Sequence, residues 1–192
     1  FVTASSNGYL TLHNLSKKTQ ITLQHQDGGS FHSVDFSQDG TKIISSVYFR
    51  FSKHYIVLMS VDDKKVIWHL KSPGPAYIVF FGHDNKIISQ DNHRAVIRDI
   101  ENGDELQAFE ERGYDSTLDS LALSPDGKTL VTSGDNPRCI TLWDIDSGDG
   151  YRTNCKSSAY DKDTKLVLSP DGEKIISATA GEIKIWYVDC IK

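Results

Sequence analysis

Histidines are the first residues to test for chemistry, and this chain has His13, His25, His32, His54, His69, His83 and His93. A metal-dependent hydrolase needs two or three of them brought together at a fixed short spacing, as in H-E-x-x-H. Here each falls in a different strand-like or turn-like stretch, so surface or strand-end histidines are expected. Cys139, Cys155 and Cys190 share no metal-ligand spacing either. An odd cysteine count without a motif reads as reduced thiols in a cytoplasmic protein, with Cys139 a small core residue. Asp126 and Asp171 look like a pair of acids for proton transfer, but they stand 45 residues apart in two copies of one turn. Their expected role is structural. No G-x-S-x-G elbow is present, and the glycine-rich stretches at Asp27–Ser30 and Ser147–Gly150 are not followed by a helix that could cradle phosphate. No catalytic residue, metal ligand or cofactor is expected, and the chain is not expected to be an enzyme.

The whole-chain properties narrow the partners. A hydrophobic fraction of 38% with 24% charged residues is ordinary for a globular domain. A net charge of −5 argues against binding to nucleic acid or to an anionic membrane, both of which reward a basic patch. No apolar run approaches the roughly 20 residues that span a bilayer. The opening residues "FVTASSNGYLTLHNL" lack an initiator methionine, a basic segment and an apolar core, and are expected to be the middle of a folded domain rather than a signal peptide.

The elements that would position any site are written in a repeat. "LSPDGKTLVTSG" at Leu123–Gly134 returns as "LSPDGEKIISAT" at Leu168–Thr179, and weaker copies read "FSQDGTKIIS" from Phe36 and "FGHDNKIIS" from Phe81. The turns begin at Ser37, Gly82, Ser124 and Ser169, steps of 45, 42 and 45 residues. A period in this range signals a repeat architecture. Serine suits the first position of a type I turn, proline the second, and glycine the fourth, where the chain must turn left-handed. β-rich runs flank each turn, so each copy predicts a hairpin. A third strand follows: "YIVLMSV", "AVIRDI", "CITLWDI" and "EIKIWYV", with a leading "YLTLHNL" at Tyr9–Leu15. More polar segments such as "KKVIWHLK" then read as edge strands.

Four antiparallel strands per period describe the blade of an all-β β-propeller. The chain resembles the WD-repeat β-propeller family, most clearly at Ser124–Gly148, where "LWDI" carries Trp143 and Asp144. "IWYV" keeps Trp186 without Asp, "IRDI" keeps Asp99 with Arg98 in place of Trp, and "LHNL" and "LMSV" keep neither. The family's buried Trp–Ser/Thr–His–Asp chain is therefore expected to be incomplete, with Trp143, Thr132 or Ser133, and Asp135 as its members in the best copy. Asp126, Gly127, Asp171 and Gly172 are the turn residues of the repeat. Trp143 and Trp186 are expected to pack between blades; Trp68, on an outer strand, is a candidate contact residue. The repeats run over 1–30 (partial), 31–73, 74–115, 116–160 and 161–192 (partial), about four and a half blades. The expected parent is a larger, seven-bladed ring of which this chain is a fragment, and self-association through open blade faces is a further expectation.

The resemblance implies a protein–protein interaction scaffold. The alternative is a regulatory or targeting propeller attached to a catalytic domain absent from this chain, or a ligand-binding propeller. In the family the turns between second and third strands share a partner-binding face, which would place Phe49, Arg50, His93, Arg94, Asn136 and Arg138 there, with Tyr114 nearby. The stretch "SSVYFRFSKHYIV" at Ser45–Val57 is longer than its equivalents and rich in aromatics and Arg, the residue types of binding hot spots. An acidic partner surface is expected to face these arginines.

Overall fold

The computed structural model describes residues 1–24, 29–37, 39–49, 53–72, 74, 79–81, 86–91, 93–110, 118–134, 139–153, 164–178 and 182–190. The chain divides into two compact units, Phe1–Asn92 with Val96–Leu106, and His93–Ala95 with Gln107–Lys192. In the first, β1 (Val2–Ala4), β2 (Tyr9–Asn14) and β3 (Thr19–Gln24) form one antiparallel sheet. A second sheet holds β4 (Ser30–Phe36), β5 (Lys42–Phe49), β6 (Lys53–Ser60) and β7 (Val66–Ser72) in sequence order. The third holds β8 (Val79–Phe81), β9 (Lys86–Asp91), β10 (Arg94–Asp99) and β11 (Glu105–Glu110), most of it in the first unit. The second unit contains β12 (Leu118–Leu123), β13 (Thr129–Gly134), β14 (Ile140–Asp144) and β15 (Gly150–Arg152) as the fourth sheet. Its fifth sheet is β16 (Lys165–Leu168), β17 (Lys174–Ala178) and β18 (Ile183–Tyr187). The structure is all-β, built from successive antiparallel meanders.

The middle strands are apolar on both faces because a sheet lies against each. Ile43 and Val47 of β5 point into a core with Leu10 and Leu12 of the first sheet, while Ile44 points the other way, toward Ile87 and Ile100 of the third. Period-two alternation sends neighbouring residues to opposite faces, so a strand between two sheets needs a continuous apolar run. The fourth and fifth sheets meet in the same manner through Val131, Leu142, Leu166 and Ile175. The opposite face of the fifth sheet carries the cross-strand row Val167, Ile176 and Ile185. These are 59%, 38% and 59% exposed, against 0% and 1% for Val131 and Leu142 at the equivalent positions of the fourth sheet.

The repeated turn has the geometry its sequence demands. Ser124 Oγ donates to Asp126 Oδ1 at 2.6 Å, the same carboxylate oxygen accepts from the Lys128 amide at 3.0 Å, and the Thr129 amide donates to Ser124 Oγ at 2.8 Å. Gly127 sits at φ 72°, where a side chain would be strained. Ser37–Asp39 and Ser169–Asp171 repeat the arrangement, with Gly40 and Gly172 at φ 70° and 74°. The copy at 82–85 lies outside the described residues.

The Ser37 hydroxyl, and after it the Thr41 amide, lower the Asp39 carboxyl from 3.8 to about 2. Ser124 and Ser169 lower Asp126 and Asp171 in the same direction. A carboxylate depressed in the folded state stabilises above its unfolded pKa and loses that contribution as pH falls through its folded one. Denaturant midpoints are therefore expected to decline between about pH 4 and pH 2. Asp39→Asn, Asp126→Asn and Asp171→Asn together should flatten that limb, and an unchanged acid limb would show that the turns do not contribute to it.

One expectation is corrected. Cys139 is buried, as a core residue should be, but it is disulfide-bonded rather than a reduced thiol. Cys155 and the Cys190 side chain lie outside the described residues. Spacing revealed nothing because pairing depends on which strand ends the fold brings together. Reduction should lower stability by about 2–4 kcal/mol. Cys139→Ser should show the same loss in urea unfolding and no further response to reductant.

Candidate interaction surface

One position on each third strand sets the frame from which any surface is presented. On β14, Trp143 pairs across from Leu130, and its Nε1 donates to the hydroxyl of Thr132, two residues further along β13, at 2.9 Å. Trp186 on β18 pairs across from Ile175 and donates to Ser177 Oγ at 2.9 Å. Arg98 occupies this slot on β10, and its Nε donates to Ser89 Oγ at 3.2 Å. On β2 the slot holds His13, whose Nε2 lies 3.1 Å from Thr3 Oγ1. The slot therefore keeps a nitrogen against a hydroxyl whether the residue is Trp, Arg or His. Met59 on β6 has no such nitrogen, and the waiting hydroxyl, Ser45 Oγ, donates instead to the Ser33 carbonyl at 2.6 Å. Of the two candidates in the best copy, Thr132 and not Ser133 receives the tryptophan.

The residue after the slot caps the next turn. Asp144 Oδ1 accepts from the Ser147 amide at 2.8 Å, Asp99 Oδ1 from Glu101 at 2.7 Å, and Asn14 Oδ1 from Lys17 at 2.9 Å. Ser60 Oγ accepts from Asp63 at 3.1 Å. A short side-chain acceptor suffices, so Asp can become Asn or Ser without loss of the cap. Arg98 is buried and also lies 3.7 Å from the buried Asp91 carboxylate.

Trp68, a candidate contact residue by sequence, is half-buried on β7. It packs against the cluster of Ile44, Ile56 and Leu58 and donates from Nε1 to the Ile100 carbonyl at 2.8 Å. An edge strand can still hold a packing residue where the adjacent sheet's turn reaches over it.

Of the sequence-derived contact residues, Arg50, Tyr114, Asn136 and Arg138 lie outside the described residues. His93 is exposed and Arg94 half-buried, both in the second unit. Phe49 is half-buried at the end of β5. It stacks edge-on against Tyr55 at 5.4 Å and packs onto the core beneath the first sheet. Tyr48 turns to the opposite face of β5, in a cross-strand row with Ser30, His54 and Ser72. Its ring lies 5.0 Å from His54 and 6.3 Å from His32. Burial, and then the charge of His32, push the His54 imidazole below its usual 6.5. The long hairpin thus divides its aromatics: Phe49 and Tyr55 pack inward, while Tyr48 and the histidines reach the surface, a division that period-two alternation dictates but hot-spot composition does not reveal.

Among the described residues no three His, Cys, Asp or Glu side chains gather as a metal site would require, and no helix is long and apolar enough to cross a membrane. Asp35 is used locally, accepting from the Phe36 amide at 2.9 Å.

Comparison with known proteins agrees with this frame. The family described as "WD domain, G-beta repeat" matches residues 104–144. An uncharacterized WD repeat-containing protein of Synechocystis sp. is 22% identical over 184 residues, covering 93% of this chain and 50% of its own length. A chain in the crystal structure of a mitotic checkpoint complex superposes with a TM-score of 0.81 at 14% identity, over 100% of this chain and 58% of its own, which speaks for the fold alone. The chain spans about half the length of the curated relative it matches. The slot and its hydroxyl recur through successive sheets, and residues 104–144 match the WD-domain repeat model, so this chain is similar to WD-repeat proteins in one repeat's sequence and in its β-propeller fold.

Proposed function

We propose that this chain is a protein–protein interaction scaffold, in which rigid sheets hold turns out to partner proteins. WD-repeat propellers generally act through binding rather than catalysis, and rigid scaffolds with variable connections suit that work. The observation that carries the reading is the division of labour within each repeat. Slot and cap residues are spent on hydrogen bonds inside their own sheet, whereas turn residues such as His93 stand exposed. Arg94, Arg138, Asn136 and Tyr114 are the proposed contacts, with an acidic surface as the partner chemistry. The test is cross-linking of the purified chain to partners, followed by Arg94→Glu with Arg138→Glu. Loss of the cross-linked partner is expected, and unchanged capture would remove these residues from the reading. A disulfide at Cys139 fits a compartment that keeps thiols oxidised, in contrast to the cytoplasmic location expected from the cysteine count.

A further inference from the structure

The fourth sheet has the shortest outer strand. β15 holds three residues, all exposed, against six in β3, seven in β7 and six in β11. So brief a pairing depends on what holds its two ends. At one end the Asp144 amide donates to the Asp149 carbonyl at 2.8 Å, and the Asp144 carboxylate caps the turn. At the other, the Thr153 amide donates to the Ile140 carbonyl at 2.9 Å, and the Ile140 amide to Thr153 Oγ1 at 3.1 Å. Cys139, buried and disulfide-bonded, stands next to Ile140 at this open end of the hairpin. Two other cysteines exist in the chain, Cys155 and Cys190. The fifth sheet stacks on the fourth with the Leu166 amide donating to Ser120 Oγ at 3.1 Å. Ser120 pairs with Ser133, at the Cys139 end of its sheet, and Leu166 pairs with Ser177 and through it with Lys184, at the start of β18. Cys190 ends the 3-10 turn Val188–Cys190 beyond the far end of β18. The length of β18 alone separates it from the Cys139 end by about 13 Å, at about 3.3 Å per residue. A disulfide needs Cα atoms within about 7 Å of each other, so Cys190 is out of reach. Cys155 follows Thr153 by two residues, a span of at most about 7 Å of chain, and Thr153 is bonded to the neighbour of Cys139.

We propose that Cys139 is bonded to Cys155, and that this bond is a redox-sensitive staple on the outer strand of the fourth sheet. It ties the open end of the β14–β15 hairpin, and Cys190 is left as the free thiol. Opening the staple takes a dithiol. Its thiolate attacks one sulfur, the S–S bond breaks, and the second thiol of the reagent resolves the mixed disulfide. Two protein thiols result, and the dithiol leaves as a disulfide. β15, short and exposed, then frays from β14 by local opening. Fraying leaves the N–H and C=O groups of the β14 edge unpaired, a template for an added strand. It also lifts Gly150 from the face of Trp143. The staple is independent of which partners the turns meet, so it and the scaffold reading fail separately.

The test begins with the purified chain alkylated in urea without reductant, digested with trypsin and weighed by mass spectrometry. The peptide Cys139–Arg152 should appear joined to Thr153–Lys156, and Ile185–Lys192 should carry an alkylated Cys190. Hydrogen exchange on the folded chain then reads the strand. In dithiothreitol the amides of Gly150–Thr153 should exchange about tenfold faster or more, while those of Thr129–Gly134 in β13 change less than about twofold, because the opening is local. Cys155→Ser should show the fast exchange without reductant and no further response to it, and Cys190→Ser should match the unmodified chain. Any other pairing of Cys139, exchange at Gly150–Thr153 that ignores dithiothreitol, or equal acceleration in β13 and β15 would each overturn the proposal.

Discussion

Arg98→Met is expected to destabilise the protein by about 3–5 kcal/mol, the cost of leaving a buried carboxylate without its counter-charge. Methionine is accommodated in the same slot of the second sheet as Met59, so the side chain's shape is not the difficulty. The loss comes from Asp91, buried and 3.7 Å from the guanidinium, and from the Ser89 hydroxyl that Arg98 Nε engages. The loss should largely disappear when both partners change. At the equivalent positions the fourth sheet carries Trp143 and Gly134, so Arg98→Trp with Asp91→Gly installs a combination the repeat already uses. That double variant should recover to within about 1 kcal/mol of the starting protein or exceed it, since a buried ion pair seldom outperforms apolar packing. Urea unfolding of the single and double variants reads both effects. A double variant as unstable as Arg98→Met would show that the slot in the third sheet is built around the ion pair itself.

Trp143→Ala should cost about 3 kcal/mol, the low end for a large aromatic because the ring is half-buried. The ring lies 5.5 Å from Phe109 and flat over Gly150, where an added Cβ would come within 2.7 Å of it. Trp143→Phe keeps much of that packing and removes the N–H that meets Thr132, so about 1–2 kcal/mol is expected. Gly150→Ala should destabilise the protein carrying Trp143 and be close to neutral in Trp143→Ala, a coupling that a double-mutant cycle measures. Additive effects would mean that the tryptophan can tilt away from β15.

Much of this fold is legible in the sequence because backbone geometry allows few spellings. The turn at Ser124–Gly127 needs a serine acceptor, an acid and a left-handed glycine, and those demands return at Ser37 and Ser169 with little freedom to vary. The slot is harder to read. Arg98 and His13 register as departures from Trp because a residue name conceals the one atom that matters, a nitrogen two residues along from a paired hydroxyl. Trp68 reads as an outer-strand residue, and the turn that covers it comes from sequence 32 residues away. The Cys139 disulfide was hidden for the same reason: linear spacing carries no record of which strand ends meet. Among the candidate contacts, composition drew attention to Phe49, whereas pleat parity turns Phe49 inward and Tyr48 out.

The four occupants of the slot are neighbours in the genetic code. Tryptophan's codon, UGG, becomes an arginine codon by a single base change; arginine's CGU becomes histidine's CAU, and its AGG becomes methionine's AUG, by single changes as well. Arginine is thus the hub through which Trp143, Arg98, His13 and Met59 are connected. The steps from tryptophan to arginine and from arginine to histidine keep a nitrogen in place for the hydroxyl, and only the step to methionine gives it up. A repeat held by one nitrogen rather than by one residue can wander across these codons without passing through a broken blade.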